Sequence, residues 1–142
     1  MGKFLLVLLI LPLFTHNLRA QDVLGKWENR NEEGVVNSII EVYEKDGKIY
    51  GKVDRIMREE DRDRLCTECE GDLKNKPVEG MEIMQGLVKD GEEFSDGTIV
   101  DPKTGKEYRC KIWIDEEEPD VLNIRGYIAL FYQTRTWQRA EK

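Results

Sequence analysis

The pattern of apolar and polar positions is clearest between residues 107 and 115, where the two kinds of residue largely alternate. Alternation of this kind places successive side chains on opposite faces of a β-strand. The apolar face consists of Tyr108, Cys110, Ile112 and Ile114. The preceding sequence, Asp101-Pro-Lys-Thr-Gly105, has the residue types of a tight turn. We therefore predict a turn and then a half-buried antiparallel strand, with Cys110 on its apolar side.

Two further apolar runs, residues 35–43 and 49–57, flank the dipeptide Asp46-Gly47. Asp-Gly between two β-type runs is a strong signal for a type I′ hairpin turn. A two-residue loop fixes the register, and the predicted pairs are Lys45 with Lys48, Val42 with Gly51, Ile40 with Val53, and Ser38 with Arg55. Opposed residues share a face, so the predicted inner face comprises Val36, Ile40, Val42, Ile49, Gly51, Val53 and Met57. Arg55 then lies on the same side.

The remaining apolar runs predict short strands at residues 21–30, 81–88, 94–100, 121–128 and 135–139. Between the hairpin and the next strand, residues 58–80 show no periodicity. A loop of this length is unusual in a compact domain, so it is either functional or held by a covalent link. About eight short strands at regular spacing predict an all-β fold, either a sandwich or a small antiparallel up-and-down β-barrel.

The first 20 residues have the pattern of a secretory signal peptide. Lys3 precedes the apolar stretch Phe4–Phe14, which is too short to span a bilayer as a helix, and Ala20 is a suitable residue before a cleavage site. We therefore expect residues 1–20 to be removed and residues 21–142 to form a single exported domain, periplasmic or extracellular. An uncleaved anchor is the alternative.

Charge and histidine content narrow the classes of function. Loss of residues 1–20 removes Lys3 and Arg19 and no acid, which moves the formal charge from -7 to -9. A domain this acidic is a poor partner for nucleic acid or anionic membranes. His16, the one histidine, lies in the predicted signal peptide. The remaining chain therefore excludes Ser-His-Asp and Cys-His catalysis and every zinc site that contains a histidine. We expect a protein that has no enzyme activity and no cofactor and that is not an integral membrane protein.

Six short patterns occur in order along the chain: Gly25-Lys-Trp27, Asp46-Gly-Lys-Ile-Tyr-Gly51, Cys66-x-x-Cys69, Asp101-Pro-Lys-Thr-Gly105, Leu122-x-Ile-Arg-Gly-Tyr127 and Trp137-x-Arg139. As an ordered set over residues 22–139, they resemble the secreted bacterial family catalogued as domain of unknown function 2147. The resemblance implies a lipocalin-like barrel of the calycin group with no established activity. It also implies that Arg139 packs over Trp27 and closes the barrel by a cation–π contact.

The cysteines permit several interpretations. In an exported protein, Cys66 and Cys69 are first expected to form a structural disulfide that holds the long loop. A redox-active pair is the second interpretation, although no βαβ pattern surrounds it. A metal site with Cys110 is the third, although it lacks histidine and a second CxxC motif. Cys110 itself is predicted to be a buried, inert thiol, with pairing to one of the loop cysteines as the alternative.

Three residues are candidate ligand contacts. Arg125 and Tyr127 resemble the Arg-x-Tyr pair with which intracellular fatty-acid-binding barrels hold a carboxylate. The apolar residues Leu122 and Ile124 lie on the opposite face of that strand, however, and this favours an outward orientation of the pair. Arg55 is predicted to face the interior from the hairpin register, with a position at the barrel rim as the alternative.

These features lead to three expectations about function, each from a different class of protein. The first is non-catalytic binding of a small apolar or amphipathic molecule inside the barrel, with the loop around Cys66 and Cys69 acting as a lid. The second is an interaction module of the cell envelope with a filled barrel, which contacts a protein through its outer face and Trp113. A thiol redox or metal protein is the third. Acidic runs such as Glu116–Glu118 are interpreted as solvated turns.

Overall fold

Eight antiparallel β-strands make up most of the described chain, which comprises Gly2 and residues 23–140 of a computed structural model. The strands are β1 (Gly25–Arg30), β2 (Val36–Lys45), β3 (Lys48–Ile56), β4 (Glu82–Asp90), β5 (Glu93–Val100), β6 (Glu107–Ile114), β7 (Val121–Ile128) and β8 (Phe131–Arg139). Each strand pairs with the next, and β8 pairs with β1 to close a barrel. The up-and-down barrel is therefore confirmed, and the sandwich alternative is excluded. The predicted signal peptide, residues 1–20, lies outside the described residues apart from Gly2.

The connections alternate between the two ends of the barrel. We call one end the mouth; it carries the β1–β2, β5–β6 and β7–β8 turns and the long loop between β3 and β4. The other end, the base, carries the β2–β3, β4–β5 and β6–β7 turns. The long loop contains two short 3-10 helices, Glu59–Asp61 and Gly71–Leu73. Within the described residues, no helix is long and apolar enough to cross a membrane.

The β2–β3 hairpin has the predicted turn and, near it, the predicted register. Asp46 and Gly47 have φ values of 52° and 76°, as both central residues of a type I′ turn require. The pairs Lys45 with Lys48, Val42 with Gly51, and Ile40 with Val53 all form. The two-residue turn therefore fixes the alignment of the two strands as far as Val53.

A β-bulge changes the register beyond that point. Ile39 pairs with Arg55, so Asp54 is an extra residue on β3. Such an extra residue reverses which face the following side chains occupy. The prediction that Ser38 faces Arg55 is therefore wrong: Ser38 pairs with Ile56, which is buried, while Arg55 is exposed on the outside. Met57, predicted to point inward, is also exposed.

The hydrophobic core takes side chains from all eight strands and, from the long loop, those of Cys66, Cys69 and Val78. Its most deeply buried side chains include Trp27, Ile40, Met84, Leu87, Ile112 and Leu122. Val42, Val53 and Ile112 belong to one cluster, so the apolar faces of β2, β3 and β6 converge on a common interior, as alternation predicts. Gly51 leaves space for Met84, since a Cβ atom at Gly51 would lie 3.0 Å from the Met84 Cε atom.

The seam between β1 and β8 is short. Within residues 23–140, these strands share two residue pairs, Trp27 with Arg139 and Glu28 with Gln138. In contrast, β7 and β8 share eight pairs that span the whole of β7. The strand β8 therefore extends past the end of β1 towards the mouth, and its residues 131–136 pair with β7 on one side.

Candidate functional site

A cavity of about 1160 Å³ opens at the mouth of the barrel. Its wall includes the apolar side chains of Ile40, Val53, Ile83, Val100, Ile124 and Trp137. Barrels of eight strands are either filled by side chains or hold one small ligand. Here the base half is filled and the mouth half is open. The volume is comparable with the roughly 300–1,000 Å³ of typical small-molecule sites.

Polar side chains line one sector of this cavity. They include Asn29 on β1, Ser38 on β2, and Gln133 and Arg135 on β8. Because β8 neighbours β1, and β1 neighbours β2, these side chains come from three adjacent strands. The Asn29 amide donates a hydrogen bond to the Ser38 hydroxyl at 3.4 Å. The opposite sector, formed by Val53 on β3 and its neighbours on β4 and β5, is apolar, so the cavity has one polar and one apolar side.

Arg135 is a cavity residue that the sequence analysis missed. Its strand partner is Ile124, whose side chain faces the interior, and opposed residues share a face. A signal was present in the sequence. Trp137 is apolar and Arg139 was expected to face inward over Trp27, so the same two-residue period places Arg135 inward as well.

Arg125 and Tyr127, predicted as a ligand-binding pair, lie on the outer face of β7. The Arg125 guanidinium carbon is 5.1 Å from the centroid of the Trp113 ring and 4.4 Å from that of Tyr132. Its Nε atom donates to the Thr134 hydroxyl at 2.8 Å. Neither residue lines the cavity. The ligand-binding interpretation is therefore corrected, because β7 turns Ile124 and Gly126 inward and these two residues outward.

Trp27 and Arg139 meet at the base, as the family resemblance implied. The Arg139 guanidinium carbon lies 4.3 Å from the centroid of the Trp27 ring. The Trp27 indole N–H donates to the Val23 carbonyl oxygen at 2.9 Å, and Arg139 Nε donates to an Asp120 carboxylate oxygen at 3.2 Å. These contacts join the first and last strands at the end of the barrel opposite to the cavity.

Comparison with known proteins identifies the family. Residues 25–139 match the family model described as DUF2147, an uncharacterized protein conserved in bacteria. The chain belongs to the DUF2147 family. A solved structure, described as protein HP1028 from the human pathogen Helicobacter pylori and as belonging to the lipocalin family, is similar in fold. It shares 17% sequence identity with this DUF2147 chain, with a TM-score of 0.69 over 83% of this chain and 82% of its own. Comparison with the curated proteins returns no match.

The long loop of this DUF2147 barrel carries a disulfide between Cys66 and Cys69, whose Cα atoms are 5.3 Å apart. Both cysteines are buried, and the Cys66 sulfur lies 3.4 Å from the carbonyl oxygen of Pro102. Residues Arg58, Asp61, Arg64 and Val78 of the same loop line the cavity. The disulfide therefore holds a loop that forms part of the mouth.

Cys110 of the DUF2147 barrel is a free thiol inside the barrel wall. It is 3% exposed, and burial raises the pKa of its thiol from 9.0 to about 12. The alternative in which Cys110 pairs with a loop cysteine is wrong, because those two cysteines are bonded to each other. Among residues 23–140, no group of three or more histidine, cysteine or acidic side chains is arranged to hold a metal ion.

Trp113, considered as a contact residue of the outer face, lies between two cations. Lys111 Nζ is 5.2 Å from its ring centroid, and Arg125 lies on the ring as well. Lys111 Nζ also donates to a Glu93 carboxylate oxygen at 3.1 Å, and this hydrogen bond is the main cause of the raised pKa of Lys111. The tryptophan of this DUF2147 barrel is thus half-buried within the outer surface of its own sheet.

Proposed function

We propose that this protein binds one small apolar or amphipathic molecule in its barrel cavity and does not transform it chemically. The observation that carries the proposal is the open cavity of about 1160 Å³, with an apolar wall on one side and a polar sector on the other. An amphipathic molecule needs both kinds of surface. The similarity in fold to a structure described as a lipocalin agrees with a barrel of this type, and the chain after residue 20 has no histidine for acid–base chemistry.

We infer that binding takes place outside the cytoplasm, in the periplasm or beyond the cell. The signal-like residues 1–20 support export. The Cys66–Cys69 disulfide supports it too, because such bonds persist in oxidising compartments. The rim position of the disulfide-bonded loop is compatible with a lid over the cavity.

The interaction module predicted as the alternative has less support. It requires a barrel filled with side chains, whereas the mouth half is open. It also requires Trp113 as a contact residue, whereas that ring is packed against Lys111 and Arg125. We therefore retain ligand binding as the leading function.

Native mass spectrometry of the protein purified from its own host tests the proposal. We expect a native mass that exceeds the mass of the denatured chain by one bound molecule. A cavity-filling variant, Gln133→Trp, should lose this molecule, because residue 133 lines the cavity. Thr136→Trp is the matched control, since residue 136 is exposed on the outer face of the same strand.

A fluorescent apolar dye provides a second measurement on protein stripped of any co-purified molecule. We expect saturable binding of one dye per chain, lost in Gln133→Trp and kept in Thr136→Trp. The proposal fails if the native protein carries no small molecule and the dye does not bind, or if both variants bind it as the wild type does.

A further inference from the structure

Arg135 lies partway down the wall of the cavity. On β8 it lies two residues before Trp137. Trp137 is 5% exposed and is the deepest residue of β8 that lines the cavity. Its strand partner on β7 is Ile124, also 5% exposed. Two residues towards the mouth, Gln133 pairs with Gly126, and both line the cavity. Arg135 is therefore on the inner face of the wall, and its side chain is exposed because the cavity is open.

The charge of Arg135 has no counterion among the described residues: within residues 23–140 its side chain forms no hydrogen bond, ion pair or ring contact. One other charged residue lines the cavity from a strand, Arg30, and its Nε atom donates to a Glu28 carboxylate oxygen at 3.1 Å. The other charged lining residues lie in the mouth loops: Glu32, Glu33, Arg58, Asp61, Arg64, Asp101 and Lys103. The strands thus present one unneutralised charge to the cavity, and it is positive.

The surroundings of Arg135 match a molecule with an acidic head and an apolar chain. The neighbouring amide side chains of Gln133 and Asn29 offer further N–H donors on the same sector. Across the barrel, β3, β4 and β5 present Val53, Ile83 and Val100. A guanidinium holds a carboxylate through two parallel hydrogen bonds, and such charge-assisted bonds are stronger than neutral ones.

We propose that Arg135 makes this cavity selective for single-chain amphipathic molecules with an anionic head, with a carboxylate as the simplest case. The head binds at Arg135, and the chain lies along the apolar sector. This inference rests on the proposed function and deepens it, because it adds the charge class of the ligand and the residue that selects it.

Calorimetric titration of delipidated protein with dodecanoate and with dodecan-1-ol tests the inference, because the two probes share a chain and differ in charge. The wild type should bind dodecanoate ~10- to 100-fold more tightly than the alcohol, the range expected for a hydrogen bond to a charged group. Arg135→Gln and Arg135→Met should bind both probes equally, with the affinity for the alcohol unchanged. Arg109→Gln should keep the preference of the wild type.

Arg109 is the matched control because it is exposed on the outer face of β6, away from the cavity. Its substitution changes the net charge by the same amount as substitution of Arg135. Equal binding of both probes by the wild type would overturn the role of Arg135 and leave the proposed function standing. A preference that survives in both Arg135 variants would do the same. Failure of the wild type to bind dodecanoate would overturn the inference, and failure of both probes to bind would also count against ligand binding itself. Thermal unfolding checks that each variant is folded.

Discussion

Gly105 lies against the backbone of Glu68 so closely that no side chain fits between them. A Cβ atom at Gly105 would be 1.8 Å from the Glu68 carbonyl oxygen and 2.9 Å from the Cys69 nitrogen. Gly105 ends the turn before β6, and Glu68 lies inside the disulfide loop. Two segments that are far apart in sequence are thus joined at the mouth by direct backbone contact.

Substitution of Gly105 should therefore lower the free energy of unfolding by more than backbone strain alone would. Gly105 has a φ of +71°, and Gly91 in the β4–β5 turn has a φ of +63° with open space within 4 Å of where a Cβ atom would lie. We expect Gly91→Ala to lower the free energy of unfolding by about 1 kcal/mol, the cost of the left-handed conformation. Gly105→Ala should lower it by about 3 kcal/mol or more, because the Glu68 backbone must also move. Urea denaturation measures both, and equal losses would show that this contact is not rigid.

Removal of the disulfide should have a moderate effect. The bond closes a loop of four residues, for which loop entropy predicts a stabilisation of about 2 kcal/mol. The double variant Cys66→Ala/Cys69→Ala should lose about this much, and its stability should no longer respond to reductant. Cys110→Ala is the control, and it should respond to reductant as the wild type does. A loss near zero would mean that the loop is held by its packing on Pro102 alone.

The buried Cys110 thiol predicts a fall in stability at alkaline pH. Its pKa is raised from 9.0 to about 12 by burial, so the folded chain keeps a proton that the unfolded chain releases. This contribution is fully present below pH 9 and is lost as the pH rises towards the folded-state value, with a slope of about 1.4 kcal/mol per pH unit. The unfolding free energy of Cys110→Ala should lack this slope.

Measurement between about pH 9 and 10.5 in wild type and Cys110→Ala isolates the thiol from other groups. The Tyr43 hydroxyl also has a raised pKa, caused by burial and by its hydrogen bond to Glu82, and it is unchanged in the variant. Parallel pH profiles for the two proteins would contradict the prediction. In the native protein, Cys110 should also resist thiol reagents until the chain unfolds.

Arg139 should stabilise the barrel more through its contact with the Trp27 ring than through its ion pair with the Asp120 carboxylate. Arg139→Met keeps the apolar stem and removes the charge, and we expect a loss of about 1–2 kcal/mol. Asp120→Ala removes an ion pair whose acidic side chain is 79% exposed, so the loss should be under about 0.5 kcal/mol. Urea denaturation of both variants tests this order, and a reversed order would assign the stabilisation to the ion pair.

Most of the fold follows from local sequence patterns, and the failures have local physical causes. Alternation and the Asp46-Gly47 turn are properties of neighbouring residues, so the strands and the β2–β3 register were predictable. The bulge at Asp54 was not, because it depends on how β3 bends to continue around the barrel, and it moved Arg55 to the outside.

The candidate site was less predictable than the fold. Arg135 was not predicted because β8 begins at Phe131, four residues before the predicted strand, which places Arg135 at its first position. The cavity itself depends on the side chains that several distant strands place at the same level, and no single segment encodes that. In contrast, the disulfide was predictable from the spacing of the two cysteines and from the oxidising compartment expected for an exported protein.

The short seam between β1 and β8 is a weakly paired part of the barrel wall. Two residue pairs and a hydrogen bond from the Ala140 N–H to the Lys26 carbonyl oxygen hold this seam within the described chain, against eight pairs between β7 and β8. Strand pairs with few backbone hydrogen bonds separate at the lowest cost in free energy. Local unfolding should therefore begin at this seam, where Trp27 and Arg139 meet at the base. The barrel should thus lose its closure before it loses its sheet, because the other seven seams stay paired.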